Sequence, residues 1–256
     1  MSFWQQIKNQ FKPDTTPAES NSGELPCFWQ VDMHSHLVPG IDDGVQDDEQ
    51  ALTCLKQLSE WGVQKVITTP HVSRDIFPNS SATLRAGDAR LQALVAEHAI
   101  PITVAVAAEY MLDDFFPDLI EQHDLLSFGA ERYVLFETGW SSAPFQLEAT
   151  IFRLQTHGYT PVLAHPERYT YYHDDIAALH HLREAGCLFQ LNWLSATGRY
   201  GDKVRKQTLA LLKAQAIDFL GSDLHRAESL PNYGTLFSAS EFELFRQQPL
   251  RNQGLL

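Results

Sequence analysis

The sequence lacks long apolar runs, an excess of basic charge and any sign of cysteine chemistry. No stretch approaches the roughly 20 apolar residues needed to cross a bilayer, which argues against a membrane-spanning helix. Lys and Arg number 19 against 32 Asp and Glu, a formal charge of −13, so there is no basic footprint for nucleic acid or an anionic membrane. Cysteine is scarce. Cys27, Cys54 and Cys187 are far apart and odd in number, which suits a reducing compartment better than a disulfide framework. None begins a Cys-x5-Arg loop, because Met33, Glu60 and Trp193 stand where its arginine would be. A phosphatase with a cysteine nucleophile of that kind is therefore unsupported. Met1 to Lys8 offers neither the apolar core nor the small-residue cleavage site of a secretory leader. The expectation is a cytoplasmic protein with no membrane insertion and no nucleic-acid partner.

The residues that are present suit a folded α/β protein. Hydrophobic residues make up 44% and aromatic ones 11% of 256 residues, enough to fill a large core, and one barrel fits this length. Phe3, Trp4, Ile7 and Phe11 form a short helical stripe that could dock on the body, a second copy in a homo-oligomer, or a kinase partner. Residues from about Lys12 to Pro26 are rich in Pro, Ser, Thr and Gly and read as a linker. We expect an extension over 1–27 and one domain over 28–256.

Within that domain, short buried runs alternate with amphipathic segments. Strands are expected at Phe28–Met33, Lys65–Thr69, Ile102–Ala107, Tyr133–Phe136, Pro161–Ala164, Leu188–Leu191 and Ile217–Leu220. Helices are expected near 48–61, 82–98, 147–157, 175–185, 203–215 and 234–247. Strands separated by helices imply parallel pairing with right-handed crossovers.

The chemistry lies in the residues just beyond each strand. The first leads into His34-Ser35-His36 and then Gly40-Ile41-Asp42-Asp43-Gly44; the second leads into His71 and the third into Glu109. The fourth ends at Glu137, the fifth leads into His165-Pro166-Glu167-Arg168-Tyr169, and the seventh into Ser222-Asp223-Leu224-His225. Only the sixth, ending Leu191-Asn192-Trp193, lacks a metal-type ligand. In a parallel barrel all these ends open on one face, so residues far apart in sequence converge. A His-x-His pair leaving a strand turns both imidazoles to the same side. Five imidazoles and four carboxylates are too many for one ion, so two or three bridged ions are expected. The donors are nitrogen and oxygen without sulfur, which suits Mn²⁺, Fe²⁺ or Zn²⁺ better than Mg²⁺ or Ca²⁺. His98, His123, His157, His173, His180 and His181 fall on helix or loop positions and are assigned to the surface.

These segments, with Pro39-Gly40-Ile41-Asp42-Asp43-Gly44 and His165-Pro166-Glu167-Arg168-Tyr169 foremost, closely resemble the polymerase and histidinol phosphatase (PHP) superfamily. The nearest branch is its bacterial protein-tyrosine phosphatases linked to capsule and exopolysaccharide genes. The likeness runs from about Val31 to His225. It implies a distorted (β/α)7 barrel, a trinuclear and usually Mn²⁺-dependent site, and metal ligands at His34, His36, Asp43, His71, Glu109, Glu137, His165, Asp223 and His225. It also implies two phosphate-binding arginines. Arg168 matches one; the other would stand just before a proline, where this chain has Leu230-Pro231, so Arg226 is the nearest candidate.

Clustered divalent ions would lower the pKa of a water and turn an acidic cluster into a phosphate trap, which removes the misfit between an acidic chain and an anionic substrate. Arg168 could hold two phosphate oxygens, while Asp42 or His36 could donate a proton. Arg74 and Phe77 come after His71 on an irregular stretch and are expected at the substrate; Trp140 and Tyr169 could line the pocket. The reading is a metal-dependent protein-tyrosine phosphatase, and the resemblance implies the tail of a bacterial tyrosine autokinase as substrate. The alternatives are a small-molecule phosphomonoesterase such as a histidinol phosphatase, and a non-catalytic scaffold.

Overall fold

The computed structural model describes residues 27–227 and 237–256. The amino-terminal stripe, the linker and the Leu230-Pro231 step lie outside them. Among the described residues nine short strands are all parallel to their neighbours: β1 (Val31–Asp32), β2 (Lys65–Thr68), β3 (His71–Val72), β4 (Thr103–Val106), β5 (Glu109–Met111), β6 (Tyr133–Glu137), β7 (Thr160–Ala164), β8 (Leu188–Asn192) and β9 (Phe219–Gly221). They form a sheet β1-β2-β4 and a sheet β3-β5-β6-β7-β8-β9.

The second and third expected strands are found as β2 and β4, and each is followed by a short strand with no expected counterpart, β3 and β5. Pro70 separates β2 from β3, since it has no N–H to give to a ladder. Pairing nevertheless runs across the breaks: Ala107 N donates to Thr68 O at 2.9 Å and Glu109 N to Pro70 O at 3.1 Å. On the other side, Asp223 N donates to His34 O at 2.7 Å and His36 N to Leu224 O at 2.9 Å. These links join both sheets into one curled parallel layer, consistent with a distorted barrel. β1 is shorter than expected because Gln30 takes φ +62 and turns the chain just before it.

Both faces of the layer are apolar, as a covered parallel sheet requires. Val31, Ile67, Leu135, Val162, Ala164 and Phe219 fill one side, plugged by Leu255 of the 3-10 turn Asn252–Leu255. Their neighbours Val66, Val134, Phe136, Leu163 and Leu220 face the helices. Burying a side chain such as Phe219 contributes about 1.5–3 kcal/mol, so these two faces fix the register of every strand.

The outer helices are α1 (Asp48–Glu60), α2 (Ser81–Glu97), α3 (Phe116–Glu121), α4 (Leu147–Thr156), α5 (Ile176–Glu184), α6 (Asp202–Lys213) and α7 (Ala239–Arg246). Helix α1 shows the local logic: Asp47 caps it by accepting from Gln50 N, and Ala51, Cys54, Leu55 and Leu58 form its buried stripe. Six helices fall where expected. The short α3 has no counterpart among the expected helices because Pro117 at its start disguises it; proline is well tolerated there. Among the described residues no helix is long and apolar enough to cross a membrane.

Candidate metal centre

All nine expected ligands come together: His71 and Glu109 open β3 and β5, Glu137 closes β6, and the others lie in the loops that follow β1, β7 and β9. Four overlapping groups, each with its donor atoms within 4.8 Å of one another, account for them: His36, Asp43, His71 and His225; His34, His36 and Asp223; His34, Glu109 and His165; and His71, Glu109 and Glu137. Glu109 lies at the centre and is fully buried. Its Oε2 is 3.2 Å from His34 Nε2, 3.4 Å from His36 Nε2 and 3.2 Å from His71 Nδ1, while Oε1 is 3.1 Å from His165 Nε2. Glu137 reaches His71 Nδ1 at 3.0 Å, and Asp43 stands 3.5 Å from both His71 and His225.

Two of the clustered residues sit in unusual backbone conformations. His165 has φ +35 and Asp223 φ +51, in the left-handed region that costs a non-glycine residue free energy and clusters at functional sites. Gly44 meets a different demand. A Cβ there would lie 2.2 Å from His36 O and 2.5 Å from His36 Cβ, so only glycine lets the Asp42-Asp43 loop close over His36.

The hydrogen bonds set the imidazole tautomers. His34 Nδ1 donates to Gln190 Oε1 at 2.8 Å, an oxygen that also accepts from His165 N. His36 Nδ1 donates to Asp42 Oδ2 at 2.8 Å, and His225 Nδ1 to Asp223 O at 2.9 Å. In the neutral rings the opposite nitrogens therefore carry lone pairs, aimed into the cluster. His34 Nε2 and His36 Nε2 face each other at 3.4 Å, with Asp223 Oδ1 3.4 Å from each. Glu109 Oε2 is buried with no hydrogen-bond partner. Electron-rich atoms pointed at one another need positive charge between them, either protons or cations. The donor set fits divalent cations.

Without cations, protons take that place. Burial opposes a charge on His34, but Glu109 and Asp223 outweigh it and push its pKa up to about 9. Burial likewise raises Glu109, yet His34, His71 and His165 hold it well below the usual carboxylate range. A raised imidazole stabilises the metal-free fold below pH 6.5 and loses that contribution as pH rises through about 9. Metal must displace those protons. The gain in Tm on adding Mn²⁺ should therefore grow from pH 6 to pH 8, with proton release seen by calorimetry in buffers of different ionisation enthalpy. A gain independent of pH would contradict this.

The sixth expected strand adds no residue to the cluster but holds three that belong to it. Gln190 on β8 accepts from His34 and His165, and its Nε2 donates to Asn192 Oδ1 at 2.9 Å. Asn192 Nδ2 in turn donates to Asp223 Oδ2 at 2.8 Å. Two buried neutral amides orient clustered residues without adding charge, a role that residue type alone does not reveal. Asp42 accepts from His36, from Gly44 N and from His71 N. Burial would raise its pKa, but His36 and these backbone donors lower it, which favours a carboxylate that orients His36.

A cleft of about 320 Å³ opens on the cluster. Its apolar wall includes Ile76, Phe77, Met111 and Trp140, and Phe77 stacks on His71 with centroids 5.2 Å apart. Arg168 reaches in, donating to Asp223 Oδ2 at 2.6 Å. Its guanidinium lies between Trp140 at 4.7 Å and Tyr200 at 4.6 Å, a double cation–π clamp. Nothing in the sequence singles out Tyr200 for this place. Arg226 lines an adjoining lobe instead of the main cleft. Arg74 turns the other way: it pairs with Asp114 at 3.2 Å and lies over Phe115, outside the cleft wall. Tyr169 is buried behind the site, its hydroxyl accepting from Thr138 N. None of the six histidines assigned to the surface is buried.

Comparison with known proteins decides the family. A model described as "Capsular polysaccharide synthesis, CpsB/CapC" matches residues 30–233. The chain belongs to this family. It is 29% identical over 199 residues to the tyrosine-protein phosphatase YwqE of Bacillus subtilis, covering 78% of each chain. It is 26% identical over 210 residues to the tyrosine-protein phosphatase CpsB of Streptococcus pneumoniae, covering 79% of this chain and 86% of that one. A solved structure also aligns, with a TM-score of 0.75 and 27% identity, covering 87% of this chain and 89% of the other. It comes from a study of YwqE and CpsB as metal-dependent tyrosine phosphatases. The capsule-linked branch read from the sequence is thus the one found, and the CpsB/CapC match spans every one of the nine clustered residues.

Proposed function

We propose that this chain is a metal-dependent protein-tyrosine phosphatase that hydrolyses phosphotyrosine on a partner protein, the tail of a bacterial tyrosine kinase controlling capsule or exopolysaccharide synthesis. The observation that carries the reading is the convergence of nine metal-type side chains on a cleft with one clamped guanidinium and an apolar wall. The curved parallel layer is read as a distorted (β/α)7 barrel of the PHP type, one domain from residue 28 onward after an extension over 1–27. The ligands are His34, His36, Asp43, His71, Glu109, Glu137, His165, Asp223 and His225, holding two or three ions, with Mn²⁺ preferred over Fe²⁺ or Zn²⁺. The setting is cytoplasmic.

Bound divalent ions would supply Lewis acidity and a water of lowered pKa. The chain's own residues do the rest. Arg168 presents a planar fork to two phosphoryl oxygens, and its aromatic clamp holds that fork before substrate arrives. Phe77 and Trp140 offer flat apolar faces to the tyrosyl ring. Arg226, at the mouth of the adjoining lobe, is the second guanidinium available to the phosphate. A phenolate leaving group has a pKa of about 10, so it departs without a strong acid beside it. That agrees with Asp42 being tied to three donors.

The complete ligand set speaks against a scaffold, and the aromatic wall favours an aryl phosphate over a small imidazole ester. Phosphate release by Mn²⁺-loaded protein from a phosphotyrosyl peptide, a phosphoseryl peptide and histidinol phosphate tests this. The phosphotyrosyl peptide should be the best substrate by far. Preference for histidinol phosphate would keep the site and overturn the substrate class.

A further inference from the structure

The lobe beside the main cleft has more cationic character than one phosphate requires. It encloses about 270 Å³ and shares Asp43, Arg168, Asp223 and His225 with the cleft, so the two meet at the cluster. Its own wall adds Arg199, Tyr200 and Arg226. Both shared carboxylates face partners on the same wall, Asp223 taking Arg168 at 2.6 Å and Asp43 standing 3.5 Å from His225, which leaves three guanidiniums against two carboxylates in the lobe. On a chain of net charge −13, two further guanidiniums at one rim form a local inversion of charge. The contrast with the main cleft and its apolar wall is plain.

The backbone builds this feature. Gly198 and Gly201 adopt φ +83 and +92, and Gly201 N donates to Gly198 O at 2.9 Å, closing a tight turn with Arg199 and Tyr200 at its tip. Arg205 of α6 pins the preceding 3-10 turn, Trp193–Thr197, by donating to Ala196 O at 2.9 Å. The Tyr200 ring lies 4.6 Å from the Arg168 guanidinium and 6.0 Å from that of Arg199. The two guanidiniums are therefore at most about 11 Å apart, the span of roughly three extended residues.

We propose that this lobe is a subsite for an anionic group carried within about three residues of the phosphotyrosine, and that Arg199 sets the preference for it. The group is a carboxylate or a second phosphate, which share the chemistry a guanidinium recognises. The inference rests on the phosphatase reading and names its peptide specificity. Arg199 is not among the clustered ligands, so it acts on choice of substrate and not on the chemical step.

The test compares the Mn²⁺-loaded enzyme with its Arg199→Gln variant on three phosphotyrosyl peptides. One has neutral flanks, one glutamates within three residues, and one a non-cleavable phosphonate analogue of phosphotyrosine there. The native enzyme should favour an anionic flank by about three- to fivefold in kcat/KM, the range of a partly exposed ion pair. Arg199→Gln should lose that preference and process the neutral peptide unchanged. A gain with only one anionic peptide identifies the source and supports the subsite. No preference in the native enzyme, or one that survives Arg199→Gln, overturns it. Fluorescence anisotropy of the same peptides gives the same ratios without turnover. If no peptide is cleaved, the phosphatase reading fails while the binding ratios still decide the subsite.

Discussion

Glu109→Gln should lower kcat/KM for a phosphotyrosyl peptide by at least about a thousandfold, some 4 kcal/mol of transition-state stabilisation. The two oxygens of Glu109 reach four of the imidazoles, and Oε2 has no hydrogen-bond partner. An amide of the same shape would keep the packing but place an N–H2 or a weaker oxygen among lone pairs. Metal content per chain should therefore fall together with activity, and the Mn²⁺-induced gain in Tm should shrink. The stripped variant should also be less stable at neutral pH, because buried imidazolium groups lose their central counter-charge. Metal analysis beside steady-state kinetics checks this. Activity within tenfold of the native enzyme, with full metal content, would remove Glu109 from the centre.

Arg168→Ala separates phosphate binding from metal binding. It should lower kcat/KM by about a hundred- to a thousandfold, the size expected for a preorganised donor to a developing phosphoryl charge, while metal content stays native. Asp223 would keep its place because Asn192 Nδ2 still donates to it at 2.8 Å. Arg168→Lys should recover only part of the loss, since an ammonium offers neither a planar fork nor the same stacking between Trp140 and Tyr200. Loss of metal in Arg168→Ala would show that the residue holds Asp223, and not substrate.

The contrast between these two residues also shows what a sequence can convey. The nine clustered side chains are legible because chemistry and position coincide: each is a His, Asp or Glu just beyond the end of an expected strand or, for Asp43, in the loop that follows one, and a parallel sheet brings strand ends to one face. Helices α1, α2, α4, α5 and α6 are legible for a related reason, since their buried stripes keep the helical period. The illegible parts depend on contacts between distant segments. Gln190 and Asn192 look like ordinary polar residues in a buried strand; only folding reveals that they orient His34, His165 and Asp223. Tyr200 lies 32 residues after Arg168 in the sequence, yet covers its guanidinium. Arg74 misleads for the opposite reason. Its position after a ligand suggests the cleft, but Asp114 and Phe115, reached through the turn after β5, draw it away. The short strands β3 and β5 are two and three residues long, too short for a period to register.

The most direct test of the metal centre is an anomalous-difference map from crystals soaked in Mn²⁺ and measured at the manganese edge. Two or three peaks should lie among His34, His36, Asp43, His71, Glu109, Glu137, His165, Asp223 and His225, with Glu109 touching more than one. No peak there, or peaks elsewhere on the surface alone, would contradict the metal centre and the reaction built on it.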